Sequence, residues 1–263
     1  MTLTLAIGAT DGLLALADGL RVRPTDDPDR PEVIADDDRK MLGLPRIPAI
    51  VLTSGRATYN GVHISEVLLA EGGPTRLNRC SSLASAAEYC SDVLSAKHTA
   101  FPSAHDAALL LVGLAGTAGP TAFRIDVPPR DFGDAAGLTT VRSVPTNPLL
   151  PVLANPAESE TAALILGQFD LFVDFLDELI SHPPAPEESY RFRGLPLAEL
   201  RPAVINFLGT WFSRNRSLAS SDGVGGLWSV AEVRVDGTVH VEYGVDLFPK
   251  SDQIGLDAAA QPD

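Results

Sequence analysis

The chain has 263 residues, a formal net charge of −14, 45% apolar residues, two cysteines and five histidines. That length accommodates one large domain with a full core or two small ones, and no apolar run approaches the ~18 residues that a membrane helix needs. The acidic balance argues against a nucleic-acid partner, because phosphate contacts need stripes of Lys and Arg. Cys80 and Cys90 are too few and wrongly spaced for a zinc site, and the histidines form no local ligand cluster, so no metal or other cofactor is expected. With no basic flank of a secretory signal at the start, the expectation is a soluble cytoplasmic protein with neither a membrane nor a nucleic-acid partner.

The first eighteen residues read as a hairpin, Thr2 to Ala9 and Leu13 to Asp18, turned by Thr10-Asp11-Gly12. Leu3, Leu5 and Ile7 alternate with Thr2, Thr4 and Ala6, a period of two that sends the larger side chains to a core. From Arg21 to Asp38 the chain is rich in Pro and Asp and reads as a solvated acidic loop, and Arg39 and Lys40 form a basic pair after it. Two short strands follow, Lys40 to Leu44 and Ala49 to Thr53, separated by Pro45 and Pro48. Helices are expected at Thr58 to Ala70 and Ser82 to Lys97. His63 falls in the first as a surface or satisfied residue, and Cys90 lies on the apolar stripe of the second.

Beyond these helices, Ala107 opens a nearly continuous apolar run suited to a strand buried on both faces, with Thr121 to Val127 as its partner. Pro128 to Pro156 reads as irregular, since four prolines from Pro145 onward forbid a long helix. Two more amphipathic helices are expected. Ile165, Phe169, Phe172, Val173, Leu176, Leu179 and Ile180 mark the first, opposite Asp170, Asp174, Asp177 and Glu178; Leu197, Leu200, Val204, Phe207, Leu208 and Trp211 mark the second. Ser220 to Gly226 leads into a terminal hairpin, Trp228 to Val235 and Thr238 to Leu247, turned by Asp236-Gly237. One domain over residues 1–249 and a disordered tail over 250–263 complete the expected organisation.

Thr2 is the residue with chemistry. A small second residue favours removal of Met1, which would leave a hydroxyl and a free α-amine on one residue. An α-amine titrates near pH ~7.7–8.0, so at neutral pH it can accept the hydroxyl proton directly or through a water. Folding the hairpin about Asp11-Gly12 returns Asp18 toward Thr2, a carboxylate beside the amine.

These features resemble the N-terminal-nucleophile (Ntn) hydrolases, specifically the proteasome β subunits and the related bacterial heat-shock protease. The likeness rests on Thr2, on Asp18 sixteen residues later within Leu-Leu-Ala-Leu-Ala-Asp, on Lys40 heading a short apolar strand, and on Ile50-Val-Leu-Thr-Ser-Gly55 before a helix. A weaker echo is Ser221-Asp-Gly-Val-Gly-Gly226 ahead of a late strand. The chain departs from the family between Pro128 and Pro156, where no Gly-Ser-Gly-type turn occurs.

The resemblance implies an α+β fold, a four-layer αββα sandwich of two antiparallel sheets. It also implies a threonine protease in which Thr2 is the nucleophile, Asp18 and Lys40 tune the site, and the Gly55 amide binds the oxyanion. Support would come from the turn holding Gly225, with Ser221 at the family's aspartate position or Asp222 one residue along. The substrate would be a peptide or protein, and the subunit would assemble into a homo-oligomer, with any ATPase partner left unspecified. Two other readings stand beside it: a catalytically silent structural subunit with this fold, and an amidase or transpeptidase of small molecules.

Overall fold

A computed structural model describes residues 3–23, 32–44, 46–55, 58–70, 74–77, 79–101, 106–114, 120–127, 140–144, 163–167, 195–214 and 224–247. The first hairpin forms where the Asp-Gly signal puts it: β1 (Leu3–Ala9) pairs antiparallel with β2 (Gly12–Ala17), from Thr4 opposite Ala17 to Ala9 opposite Gly12. A small hairpin of β3 (Arg21–Arg23) and β4 (Glu32–Ala35) follows, then β5 (Met41–Leu44) and β6 (Ala49–Gly55). Next come β7 (Thr58–Tyr59), β8 (Val62–His63), and helices α1 (Ile64–Ala70), α2 (Pro74–Leu77) and α3 (Leu83–Ala100). Strands β9 (Ala107–Leu114), β10 (Pro120–Val127), β11 (Thr140–Val144) and β12 (Ala163–Gly167) precede helix α4 (Leu197–Arg214). The chain closes with β13 (Trp228–Arg234) and β14 (Val239–Val245).

The strands form two five-stranded antiparallel sheets, ordered β12-β1-β2-β13-β14 and β11-β10-β9-β6-β5. Alternation along each strand sorts side chains by size. In the first sheet Leu3, Leu5, Ile7, Leu14 and Leu16 pack with Leu200, Val204, Leu208 and Trp211 of α4. The opposite face of β1 and β2, with Ala6, Leu13, Ala15 and Ala17, joins Ile50, Leu52, Leu110 and Val112 of the second sheet in a shared cluster. The second sheet's other face, with Val51, Leu109, Leu111 and Ile125, packs on α1 and α3 through Ile64, Leu68, Ala86, Cys90 and Leu94. Small residues on one sheet against branched ones on the other let the two surfaces interlock at native density.

Local capping fixes the helices to this frame. Ser82 caps α3 in a reciprocal capping box with Ser85. The start of α4 is held from far away: the Asp11 carboxylate, in the β1–β2 turn, accepts from the Leu197 amide at 2.7 Å. A carboxylate there meets both an orphan amide and the positive end of the helix dipole.

Four expectations are corrected. The stretch from Arg21 to Asp38, read as a loop, contains β3 and β4, paired with Val22 opposite Val33. The helix expected over Thr58 to Ala70 begins only at Ile64, because Asn60 (φ 49°) and Gly61 (φ 78°) take the left-handed conformation of a tight hairpin turn between β7 and β8. His63 therefore ends a strand. Ile165, assigned to an amphipathic helix, lies in β12 opposite Leu5; a short apolar run ending in Gly is ambiguous by periodicity, and the outer backbone edge of β1 takes it as a partner. The stretch read as irregular contains β11, which pairs with β10 from Ala122 opposite Val144 to Asp126 opposite Thr140. The remainder of the expected acidic helix, Phe169 to Ile180, lies outside the described residues, as does the tail over 250–263.

The shared cluster should be the least forgiving part of the fold. Leu52, fully buried between the sheets, should cost ~2–5 kcal/mol on replacement by Ala in urea unfolding. Val235, which is 69% exposed, should tolerate the same change within ~0.5 kcal/mol.

Candidate functional site

Asp18 leaves β2 with no exposure at all, and the hairpin closes on it. Its amide donates to the Leu3 carbonyl at 3.0 Å, while its Oδ1 accepts from the Leu3 amide at 2.8 Å. Lys40 stands immediately before β5 with its side chain 4% exposed, and its Nζ donates to Asp18 Oδ1 and Oδ2 at 3.0 and 3.1 Å. The same ammonium donates to the Leu20 carbonyl at 2.5 Å, and the Gly225 amide faces Asp18 Oδ2 at 3.4 Å. Burial pushes the Asp18 carboxyl above its ordinary value, and the Lys40 charge with the Leu3 and Gly225 amides pulls the other way. A buried carboxylate is tolerable only with such a set of donors.

The backbone around the pair is fixed from several strands. The Lys40 carbonyl accepts from the Thr53 amide at 2.9 Å and from the Thr53 hydroxyl at 3.3 Å. The Gly225 carbonyl accepts from the amides of Gly19 and Leu20 at 3.1 and 2.9 Å. Gly226 takes φ 72°, and a Cβ there would run into the Asp36 carbonyl. The Gly-Gly pair thus brings the start of the β13 segment directly onto the residues that follow Asp18.

Of the candidates read from sequence, the structure brings Asp18, Lys40 and Gly225 into direct contact. Gly55 ends β6 at φ 79°, two residues beyond the Thr53 that holds Lys40, which is ~7 Å along the strand. Thr2, Ser221 and Asp222 lie outside the described residues. Cys90 is a packed thiol, pushed up to about 12 by burial with a smaller push from Cys80, the wrong direction for a nucleophile. Among the described residues no group of three or more His, Cys, Asp or Glu is arranged to hold a metal, and no helix is long and apolar enough to cross a membrane.

Sequence reasoning missed the group beside this pair. The Asp38 side chain is 10% exposed, facing His63 Nε2 at 3.4 Å and Arg21 Nη1 at 3.6 Å. Burial alone would raise its carboxyl, but the His63 ring, Arg21 and Lys40 together hold it below the ordinary value. Reading Arg21 to Asp38 as a solvated loop hid Asp38, and reading His63 as helical hid its partner. The Asn60-Gly61 dipeptide was the signal that would have found the second.

Two outcomes follow for folding. Lys40→Met strands the Asp18 carboxylate and should cost ~3–5 kcal/mol in urea unfolding near neutral pH. That cost should shrink as pH falls, because Asp18 can then take a proton. For Asp38 the folded value lies below the unfolded one, so its contribution is complete above pH ~3.9 and is lost as pH falls through the lowered folded value. The stability difference between the parent and Asp38→Asn should therefore narrow on that acid limb, as read from urea midpoints across a pH series.

No family model matches the chain, and no curated protein matches it. Among solved structures it is similar to the Anbu (Gly-1) mutant from Hyphomicrobium sp. strain MC1, at TM-score 0.54 and 12% identity, over 100% of this chain and 99% of that one. It is similar also to Anbu, an ancestral beta-subunit, from Yersinia bercovieri, at TM-score 0.53 and 15% identity, over 99% of this chain and 98% of that one. At such identities the likeness is one of fold. The chain has a mixed α and β architecture of the proteasome β-like kind.

Proposed function

We propose that the chain is an N-terminal threonine hydrolase that cleaves peptide or amide bonds through an acyl-enzyme on Thr2. The observation that carries this reading is the Leu3 amide on Asp18 Oδ1 at 2.8 Å with the Lys40 ammonium on the same carboxylate. The Leu3 nitrogen is bonded to the Thr2 carbonyl carbon, ~1.33 Å away, so the charged pair lies one peptide unit from the hydroxyl and amine of residue 2. The αββα sandwich belongs to this proposal too, with α4 in one outer layer, and α1 and α3 in the other.

In the mechanism, removal of Met1 frees the Thr2 amine. The Thr2 hydroxyl oxygen attacks the substrate carbonyl carbon while the amine takes its proton. The Lys40 ammonium, held by Asp18, favours the developing alkoxide, and the Gly55 amide donates to the oxyanion. Collapse of the tetrahedral intermediate breaks the C–N bond, and the leaving amine receives the proton from the Thr2 amine. A water, deprotonated by that amine, then attacks the Thr2 ester, releases the acid and restores the hydroxyl. An amine in place of the water would give transpeptidation. Gly225 and the Ser221 to Asp222 segment buttress the carboxylate side, and a homo-oligomer would restrict access to protein substrates.

Intact mass measured before and after exposure to an electrophile that bridges a threonine hydroxyl and its α-amine tests the proposal. The expected result is loss of the Met1 mass and one adduct, abolished by Thr2→Ala. A retained Met1 without adduct would overturn it and leave a structural subunit whose Asp18 network only joins strands.

A further inference from the structure

Arg21 opens β3, Asp38 lies in the turn before Lys40, and His63 ends β8, so the group converges from three elements on Asp38, two residues ahead of Lys40. The Asp38 backbone builds the turn that presents Lys40: its amide donates to the Gly19 carbonyl at 2.9 Å and its carbonyl accepts from the Lys40 amide at 3.1 Å. Its carboxylate spans Arg21 Nη1 at 3.6 Å and His63 Nε2 at 3.4 Å.

The state of the His63 ring follows from its other nitrogen. Nδ1 accepts from the Ser65 amide at 3.2 Å, with the Ser65 hydroxyl 2.7 Å away. A lone pair on Nδ1 assigns the ring proton to Nε2, the nitrogen that faces Asp38. His63 thus has two separable jobs, capping the first turn of α1 through Nδ1 and facing the Asp38 carboxylate through Nε2.

The competition is electrostatic. Asp38 feels three positive or polarised groups: His63, Arg21 and Lys40. If His63 lets go of one carboxylate oxygen, Lys40 gains a second anionic partner, and its ammonium need no longer stay on Asp18 and the Leu20 carbonyl.

We propose that His63 is a positioning residue for Lys40, acting through Asp38: Nε2 anchors the Asp38 carboxylate so that the Lys40 ammonium stays on Asp18. The functional weight of this rests on the hydrolase reading, but the positioning itself can be read without activity. The chain has only three lysines, Lys40, Lys97 and Lys250, so acetylation by acetic anhydride, followed by mass spectrometry, reports Lys40 against Lys97 as an internal reference.

Asparagine and glutamine separate the two jobs of His63, since an Asn amide reaches the Nδ1 position and a Gln amide the Nε2 position. His63→Asn, which keeps the cap and loses the Asp38 contact, should raise the Lys40 to Lys97 acetylation ratio roughly fivefold. His63→Gln should leave the ratio near the parent's. Asp38→Asn removes the competing carboxylate and should leave the ratio near the parent's, and the double variant should cancel the rise seen with His63→Asn. An unchanged ratio in His63→Asn, a rise that persists in full in the double variant, or a larger rise with Gln than with Asn would overturn the proposal and reduce His63 to a helix cap. Should His63→Asn fail to fold, His63→Ser, which can cap α1 but cannot reach Asp38, carries the same test. The Thr2 adduct, measured on the same preparations, keeps the readings apart. A rise in Lys40 acetylation without any Thr2 adduct sinks the hydrolase and leaves the positioning role; an adduct with no rise does the reverse.

Discussion

One buried carboxylate sets the terms for the rest of this molecule. Asp18 has no contact with water, so every stabilising partner it has must be supplied by the protein. The partners come from three places in the chain: the Leu3 amide on β1, the Lys40 ammonium ahead of β5 and the Gly225 amide ahead of β13, while β2 presents the carboxylate. Because β1, β2 and β13 belong to one sheet and β5 to the other, the ion pair links the two sheets at one end. Apolar packing sets how the sheets stack, and the carboxylate sets where their ends meet. Breaking one half of such a pair costs more than the intact pair gains.

The parts of the fold legible in the sequence are those whose signals are local. Asp11-Gly12 and Asp236-Gly237 announce their hairpins, and the stripes of α3 and α4 announce helices that face a sheet. Failures occurred where a tertiary partner decided the outcome. Ile165 carries helical spacing with its neighbours downstream, yet the open edge of β1 draws it into a strand. Asp38 looked like one of a run of surface carboxylates, and only the approach of Arg21 and His63 makes it different from Asp36 and Asp37, which stay exposed.

The site divides in the same way. Asp18 and Lys40 were found because a family resemblance supplied a spacing, although nothing local to either residue would have paired them across 22 positions. Gly225 was seen as a turn glycine. Its carbonyl, which ties down Gly19 and Leu20, and its amide, which faces Asp18, are backbone groups, and backbone groups leave no trace in residue type. Leu20 is a stronger case, for a leucine gives no hint that its carbonyl shares an ammonium with an aspartate.

The sequence separation within that donor set also orders events in time. The Gly225 amide lies 207 residues beyond the carboxylate it faces, and the Asp11 cap on Leu197 spans 186. A chain emerging from the ribosome at ~5–20 residues per second has the first hairpin long before it has either partner. Until the last two strands arrive, Asp18 lacks its full set of donors and the hairpin lacks the helix that covers its leucine face. The first hairpin is therefore synthesised long before its centre can be completed, so assembly of the centre reports that the chain has been made at least as far as Gly225.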